Sequence, residues 1–430
     1  MFRFVHTGDL HLDSPFLGIG GQVPPSIAEV LRTSTLRAWQ AIVALALDER
    51  ADFFLVAGDA FEGSIRTLPG QVAFRDGLRR LADAGIPSFV VTGNHDHEGD
   101  DGYIPSVEWP SLAYRFGPAR VEGRPVIRDG REIARVYGQG YRAQAVRDNL
   151  AAGFRREADA PFAIGLLHTQ VGASADGVYA PCTMADLRAA EMDYWALGHV
   201  HKHGILSDAK PVVVYCGNPQ GRDPGEVEPR GCYLVTVGDD RSVTPEFRVV
   251  DEVRWQRLDV PVGALESDEA IVRAAEAALD RARTAAGRSI VARVRLTGSG
   301  PAHAILARPN AVAGVRDVVR ESLGEGSPFA YLESLADATR PAYDRAALAA
   351  ADDFRGSVLR FADELRARVA AGAGEDAAAA DPGIDKVLGA LWDSNRGRPY
   401  LKHRRLSRQD LLELLDRAET MAADSLSAEG

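Results

Sequence analysis

Over its first half the chain alternates short, almost wholly apolar runs with longer stretches whose apolar positions recur every three or four residues. The runs FRFV (2–5), DFFLVA (52–57), PSFVVT (87–92), FAIGLL (162–167) and YWAL (194–197) are rich in β-branched and aromatic side chains. Runs this short and this apolar predict buried strands. Helical periodicity fills Ile27 to Leu47 and Gln71 to Ala82. Strands alternating with helices predict an α/β fold built on a largely parallel sheet.

Each of these runs ends on a side chain that can bind a metal. The segments read VHTGDLH (Asp9, His11), LVAGD (Asp59), VVTGNHD (Asn94, His95), IGLLHT (His168) and WALGHVH (His199, His201). Parallel sheets bind ligands just beyond the carboxyl ends of their strands. Gly8, Gly58, Gly93 and Gly198 open the loops, where tight turns and close backbone approach are needed. The donor set suits one reaction class. A phosphodiester is anionic and repels nucleophiles; two divalent metals roughly 3.5–4 Å apart neutralise it, activate a water and stabilise the leaving oxygen. Oxygens from Asp9, Asp59 and Asn94, mixed with imidazoles from His11, His168, His199 and His201, suit Mn, Fe or Zn better than Mg or Ca. Two divalent ions are expected, Mn²⁺ first and Fe or Zn as alternatives.

The ordered pattern D-x-H, G-D, G-N-H-D, H and G-H-x-H resembles the calcineurin-like metallophosphoesterase superfamily. HTGDLHLDSPF at the start, and YCGNPQGR followed by Glu228 and Arg230-Gly231, are similar to its DNA-repair exonuclease branch. That branch holds the bacterial SbcD nuclease, its YhaO-like relatives and the nuclease subunit of the double-strand-break repair complex. The resemblance covers roughly residues 1–250. It implies a metallophosphoesterase β-sandwich flanked by helices, followed by a small α+β capping domain and C-terminal helices. It places Asp9, His11, Asp59 and His201 on one metal, and Asp59, Asn94, His168 and His199 on the other, with Asp59 bridging. His95 would contact the scissile phosphate or protonate the leaving oxygen. Such an acid needs an orienting partner. Glu62 stands where relatives often carry an acidic residue or His, and Asp96 competes for that role. The resemblance also implies 3′-to-5′ exonuclease activity with some endonuclease action, and a homodimer.

Blander readings cover the other histidines. His6, His97, His203, His303 and His403 default to structural or surface positions. The three cysteines, Cys182, Cys216 and Cys232, have no disulfide or zinc spacing and fit a reducing cytoplasm. No apolar run approaches about 18 residues, so no membrane span or secretion signal is expected. At 430 residues and 46% hydrophobic content the chain can bury more than one core. The net charge of −11 runs against the basic face usual in DNA binders. Candidate local contacts are Arg222 and the run RGRPYLKHRR (396–405), with Arg396, Arg398, Lys402, Arg404 and Arg405. That run fits DNA contact and partner docking equally. Arg115 with Arg120, Arg142 with Arg147, and Arg222 taken singly read more readily as solvated surface than as DNA contacts.

Three domains are expected: a phosphoesterase domain over 1–254, a capping domain over 255–342 and a helical region over 343–430. In the second, WQRLDVPV (255–262), SIVARVRLTG (289–298) and AYLESLAD (330–337) read as strands, and Asp268 to Ala286 and Ala311 to Leu323 as helices. A long helix is expected from Arg345 to Ala370, a linker near 371–383, and helices over Ile384 to Trp392 and Ser407 to Met421. Leu411, Leu412, Leu414 and Leu415 stripe the last of these, with Ser407 as N-cap. An amphipathic helix beyond a linker folds back or docks elsewhere. In relatives, helices after the cap bind an SMC-like coiled-coil ATPase, and a similar partner is expected. The leading function is therefore a metal-dependent DNA nuclease in repair. The alternatives are a small-molecule phosphodiesterase and a non-catalytic scaffold for DNA ends or the ATPase.

Overall fold

The computed structural model describes residues 1–17, 19, 23–63, 67–98, 108–172, 177–324, 326–342, 345–371 and 408–427. The elements run β1 (Phe2–Thr7), α1 (Pro25–Asp48), β2 (Phe53–Ala57), α2 (Leu68–Asp83), β3 (Ser88–Val91), β4 (Ala113–Arg115), β5 (Glu122–Arg128), β6 (Arg131–Gln139), β7 (Ala163–His168), α3 (Met184–Ala189), β8 (Tyr194–Gly198), β9 (Gly204–Ser207), β10 (Val212–Tyr215), β11 (Gly231–Val237) and β12 (Val243–Val249). They continue as β13 (Val253–Pro261), α4 (Asp268–Ala286), β14 (Ser289–Ser299), α5 (Pro301–Leu306), α6 (Ala311–Leu323), β15 (Ala330–Arg340), α7 (Arg345–Ala350), α8 (Phe354–Ala371) and α9 (Arg408–Ser427).

The first half folds as two six-stranded sheets, ordered β12-β11-β1-β2-β3-β4 and β5-β6-β7-β8-β10-β9. Their facing sides share one core. Phe4, Phe53, Leu55 and Phe89 of the first sheet pack with Val136, Ile164, Ala196 and Val214 of the second. The alternate residues point the other way. Val5, Phe54 and Val56 meet Trp39, Ile42 and Phe74 of the helices α1 and α2. On the second sheet, Leu167, Trp195 and Val213 meet Leu187 of α3. Both faces of each central strand are therefore covered, which is why the runs carry no polar alternation. The result is a β-sandwich flanked by helices, as the resemblance implied. The single largely parallel sheet needs correction. The parallel strands β1-β2-β3-β4 and β6-β7-β8-β10 form the centres of two separate sheets. Antiparallel strands border them: β11 and β12 on one sheet, β5 and β9 on the other.

The chain divides into two compact units, Met1–Leu258 with Ala277–Arg293 and Arg320–Ser334, and Asp259–Glu276 with Val294–Val319 and Leu335–Gly430. The sheet β13-β14-β15 accompanies α4 and α6. In the second unit His303 is buried, its Nδ1 3.0 Å from Thr339 Oγ1, a structural position. The helix expected over 345–370 is broken into α7 and α8. Asp353 stops it, accepting the Gly356 N–H at 2.8 Å as an N-terminal cap of α8. The last helix folds back: Leu411 of α9 is buried with Val369 of α8. Arg345 bonds Glu419 at 2.7 Å and Arg366 bonds Asp416 at 2.9 Å. The expected linker, the helix over 384–392 and the basic run 396–405, His403 included, lie outside the described residues. Among the described residues no helix is long and apolar enough to cross a membrane.

Candidate metal centre

The parallel strands end side by side, and the loops that follow carry the metal-binding side chains into one place. Asp9, His11, Asp59 and His199 hold positive φ angles of 47°, 42°, 48° and 95°. Non-glycine residues rarely adopt this conformation, and its cost of roughly 1–3 kcal/mol each is tolerated where function fixes the geometry. Gly93 has no room for a side chain: an added Cβ would stand 2.3 Å from Asp59 Oδ1 and 2.7 Å from His168 Cε1. At Gly58 the left-handed φ of 90° and a Cβ contact of 2.5 Å with His168 Nδ1 both require glycine.

Three groups of donor atoms converge: Asp9, His11 and His201; Asp9, Asp59 and His168; and His11, Glu62 and His95. Close contacts with carboxylates and carbonyls fix what those atoms present. His11 Nδ1 stands 2.7 Å from Glu62 Oε2, and His201 Nδ1 2.7 Å from Glu226 Oε1. A nitrogen that close to a carboxylate carries the proton, so both Nε2 atoms present lone pairs, and these face each other at 3.2 Å. His168 Nδ1 donates to the Ala57 carbonyl at 2.9 Å. Its Nε2 then faces Asn94 Oδ1 at 2.9 Å and Asp59 Oδ2 at 3.3 Å, a place that only a proton or a cation can fill. His199 Nδ1 reaches the same Asn94 oxygen at 3.1 Å. Acceptors aimed at acceptors in a buried site repel unless a cation or a shared proton lies between them. The donor set therefore fits divalent metal ions, with the outer carboxylates fixing tautomers as they do around metal-bound histidines.

Charge follows the same pattern. Burial pulls the His168 imidazole down, but Asp59 and Asp9 outweigh it and lift it to about 9. Burial pushes Asp59 up, and His168 more than offsets this, holding it well below the carboxylate range. Burial raises Asp9 to about 6. It lowers His11 to about 4 and His199 to about 3, keeping both neutral and able to bind a metal. His95 goes the other way: its contact with Glu62 raises it, which suits a proton donor.

The remaining expectations sort by contact. Glu62 lies between two histidines, Oε1 2.8 Å from His95 Nδ1 and Oε2 against His11. Asp96 is committed elsewhere. Its buried carboxylate accepts the N–H groups of Gly93 at 2.6 Å, Ala60 at 2.7 Å and Asp59 at 3.2 Å. It stitches the loop after β3 to the loop after β2. Asp96→Ala leaves those N–H groups without their acceptor, and about 3 kcal/mol of stability is expected to go with it. Thermal unfolding checks this; wild-type melting with full metal uptake would refute it.

Arg222 is corrected from a DNA contact to an internal clamp. It is 7% exposed, and its Nη1 reaches Ser14 Oγ at 2.7 Å and Glu62 Oε2 at 3.0 Å. Glu226 escaped the sequence reading, which pointed to Glu228; Glu228 instead pairs with Lys202 at the surface. His6 is buried against the Tyr194 hydroxyl at 3.0 Å, and His203 stacks on Phe247, both structural. Cys182, Cys216 and Cys232 are buried and unbridged. The lining also includes Tyr141 beside His168 and Tyr179 beside His199.

Comparison with known proteins fits this geometry. Residues 2–203 match the calcineurin-like phosphoesterase family, and residues 255–340 match the middle domain of the metallophosphoesterase YhaO. The chain is 35% identical over 361 residues to the uncharacterized metallophosphoesterase YhaO of Bacillus subtilis, covering 84% of this chain and 86% of that one. It is 30% identical over 250 residues to the DNA double-strand break repair protein Mre11 of Haloferax volcanii, covering 56% of this chain and half of that protein. A similar protein of Aeropyrum pernix is 28% identical over 288 residues, covering 61% and 64%. The chain belongs to the YhaO-like family of calcineurin-like metallophosphoesterases, hydrolases of phosphoesters that work with divalent metal ions.

Proposed function

We propose that the protein is a metal-dependent DNA nuclease acting in repair, a 3′-to-5′ exonuclease with endonuclease action. The observation that carries the phosphodiesterase reading is the convergence of carboxylate, amide-oxygen and imidazole atoms at the strand ends. Asp9, His11 and His201 would hold one ion and Asn94, His168 and His199 the other, with Asp59 between them. Mn²⁺ is the ion we assign first. The pair would neutralise the phosphodiester and activate the attacking water. His95, oriented by Glu62, would stand at the scissile phosphate or the leaving oxygen.

The DNA reading rests on the likeness to break-repair proteins and on the chain beyond the phosphoesterase core. Residues 255–342 would act as a cap over the substrate and 343–430 as a partner-binding region. There Phe354 and Phe361, seven residues apart on α8, are 71% and 58% exposed and lie on one helical face. We assign that face to an SMC-like coiled-coil ATPase, and expect a homodimer in a reducing cytoplasm.

The test is cleavage with Mn²⁺ of linear duplex and hairpin DNA, beside bis-p-nitrophenyl phosphate. All three should be cut. Hydrolysis of the small ester with DNA untouched would leave a small-molecule phosphodiesterase, and no hydrolysis of either would leave a scaffold. Removing residues 384–430, or replacing Phe354 and Phe361 by Asp, should abolish co-purification with the ATPase.

A further inference from the structure

The two halves of the centre are supported differently. His168 is held by a backbone carbonyl, that of Ala57. His11 and His201 are held by carboxylates, Glu62 and Glu226. Those carboxylates lie far apart in sequence, and one residue joins them. The Arg222 guanidinium bonds Glu62 Oε2, while the Arg222 backbone N–H donates to Glu226 Oε2 at 2.7 Å. Arg222 is itself fixed: Ser14 Oγ accepts from its Nη1 at 2.7 Å, and its carbonyl accepts the Leu17 N–H at 2.8 Å. Glu226 is held further by Asn218 Nδ2 at 2.9 Å, and Asn218 by Arg230 at 2.9 Å.

We infer that Arg222 is a positioning residue that locks Glu62 and Glu226 together, and so sets the affinity of the Asp9–His11–His201 metal position selectively while leaving the His168 position to the backbone. The inference rests on the two-ion reading above. Its physical basis is that Glu62 carries one negative charge and faces two imidazoles in a half-buried place. Without the guanidinium, Glu62 can turn toward solvent, and His11 then loses the contact that fixes its tautomer. A partner of this kind around a metal-binding histidine typically changes metal affinity by about 10–100-fold. His95 shares Glu62, so its proton transfer depends on the same clamp.

The experiment is calorimetric titration of metal-free protein with Mn²⁺, for wild type, Arg222→Gln, Arg222→Lys and Ser14→Ala. Wild type should take up two ions. Arg222→Gln should weaken one of them about 10–100-fold and leave the other within a factor of two or three. Arg222→Lys keeps the charge, but its ammonium sits on a stem one bond shorter than the Nη1 that touches both Ser14 and Glu62, so it should fall between the two. Ser14→Ala removes only the anchor and should weaken the same ion by less. Fewer than two ions on the wild type would sink the two-ion reading itself. Two ions on the wild type, with both unchanged or both equally weakened in Arg222→Gln and Ser14→Ala, would overturn the inference alone.

Discussion

Asp59→Asn is expected to lower phosphodiester hydrolysis roughly a thousandfold and to leave the protein holding fewer than two ions. The substitution keeps shape and changes charge. Asp59 Oδ1 accepts the His95 N–H at 2.8 Å, and an amide oxygen can do the same. Its Oδ2 faces His168 Nε2 at 3.3 Å, across a gap that only a proton or a cation can fill. In the variant the ring turns neutral, and an amide N–H₂ stands there and donates to its Nε2. The gap is then filled without a cation, and the attraction for one is lost. The site also loses the charge that lifts His168 to about 9. Metal ions in such centres contribute several kcal/mol of charge stabilisation in the transition state. At ~1.4 kcal/mol per factor of ten, that corresponds to about three decades of rate. Metal content of the purified variant and its rate on bis-p-nitrophenyl phosphate measure the two effects separately. Two bound ions and a rate within tenfold of wild type would show that Asp59 is not the shared ligand.

The substitution probes a part of the centre that was legible in the sequence for a clear reason. A buried parallel strand is a continuous apolar run, its end is marked by a glycine, and the ligand comes next. Asp9, Asp59, Asn94 and His199 follow that grammar, and His168 ends its strand directly without a glycine. Elements on the rim do not. In β5, Glu122–Arg128 reads EGRPVIR, with only Val126 buried and Pro125 in its middle. An edge strand tolerates both, and neither gives a periodic signal. The same limit hid the second layer of the site. Glu226 sits in a loop among Asp, Gly and Pro, where an acidic residue ordinarily faces water. Only the fold brings it to His201. Arg222 looked like a lone surface cation because its partners, Ser14 and Glu62, are 208 and 160 residues away in the chain. The break before α8 was missed because Asp353 can be read as one polar position in a helix or as the cap of the next one, and the periodicity on both sides is similar.

His95→Ala should separate catalysis from metal binding. The ring is a third exposed and touches Glu62, while only its backbone N–H serves Asp59. Removing the imidazole therefore leaves the metal-binding atoms and the Asp59 contact in place, and both ions should remain. Loss of a proton donor costs about 10²–10⁴-fold in rate. The substrate decides between the two roles open to His95. In bis-p-nitrophenyl phosphate the leaving nitrophenolate departs without needing a proton, whereas a deoxyribose oxygen does need one. If His95 is the acid, the variant should lose most of its activity on DNA and far less on the small ester. If it only binds the phosphate, both substrates should suffer alike. Glu62→Gln should follow the same pattern more weakly on the small ester, with the added loss of one ion through His11. A His95→Ala protein that has lost its metals would place His95 among the ligands and remove it from the chemistry of the leaving group.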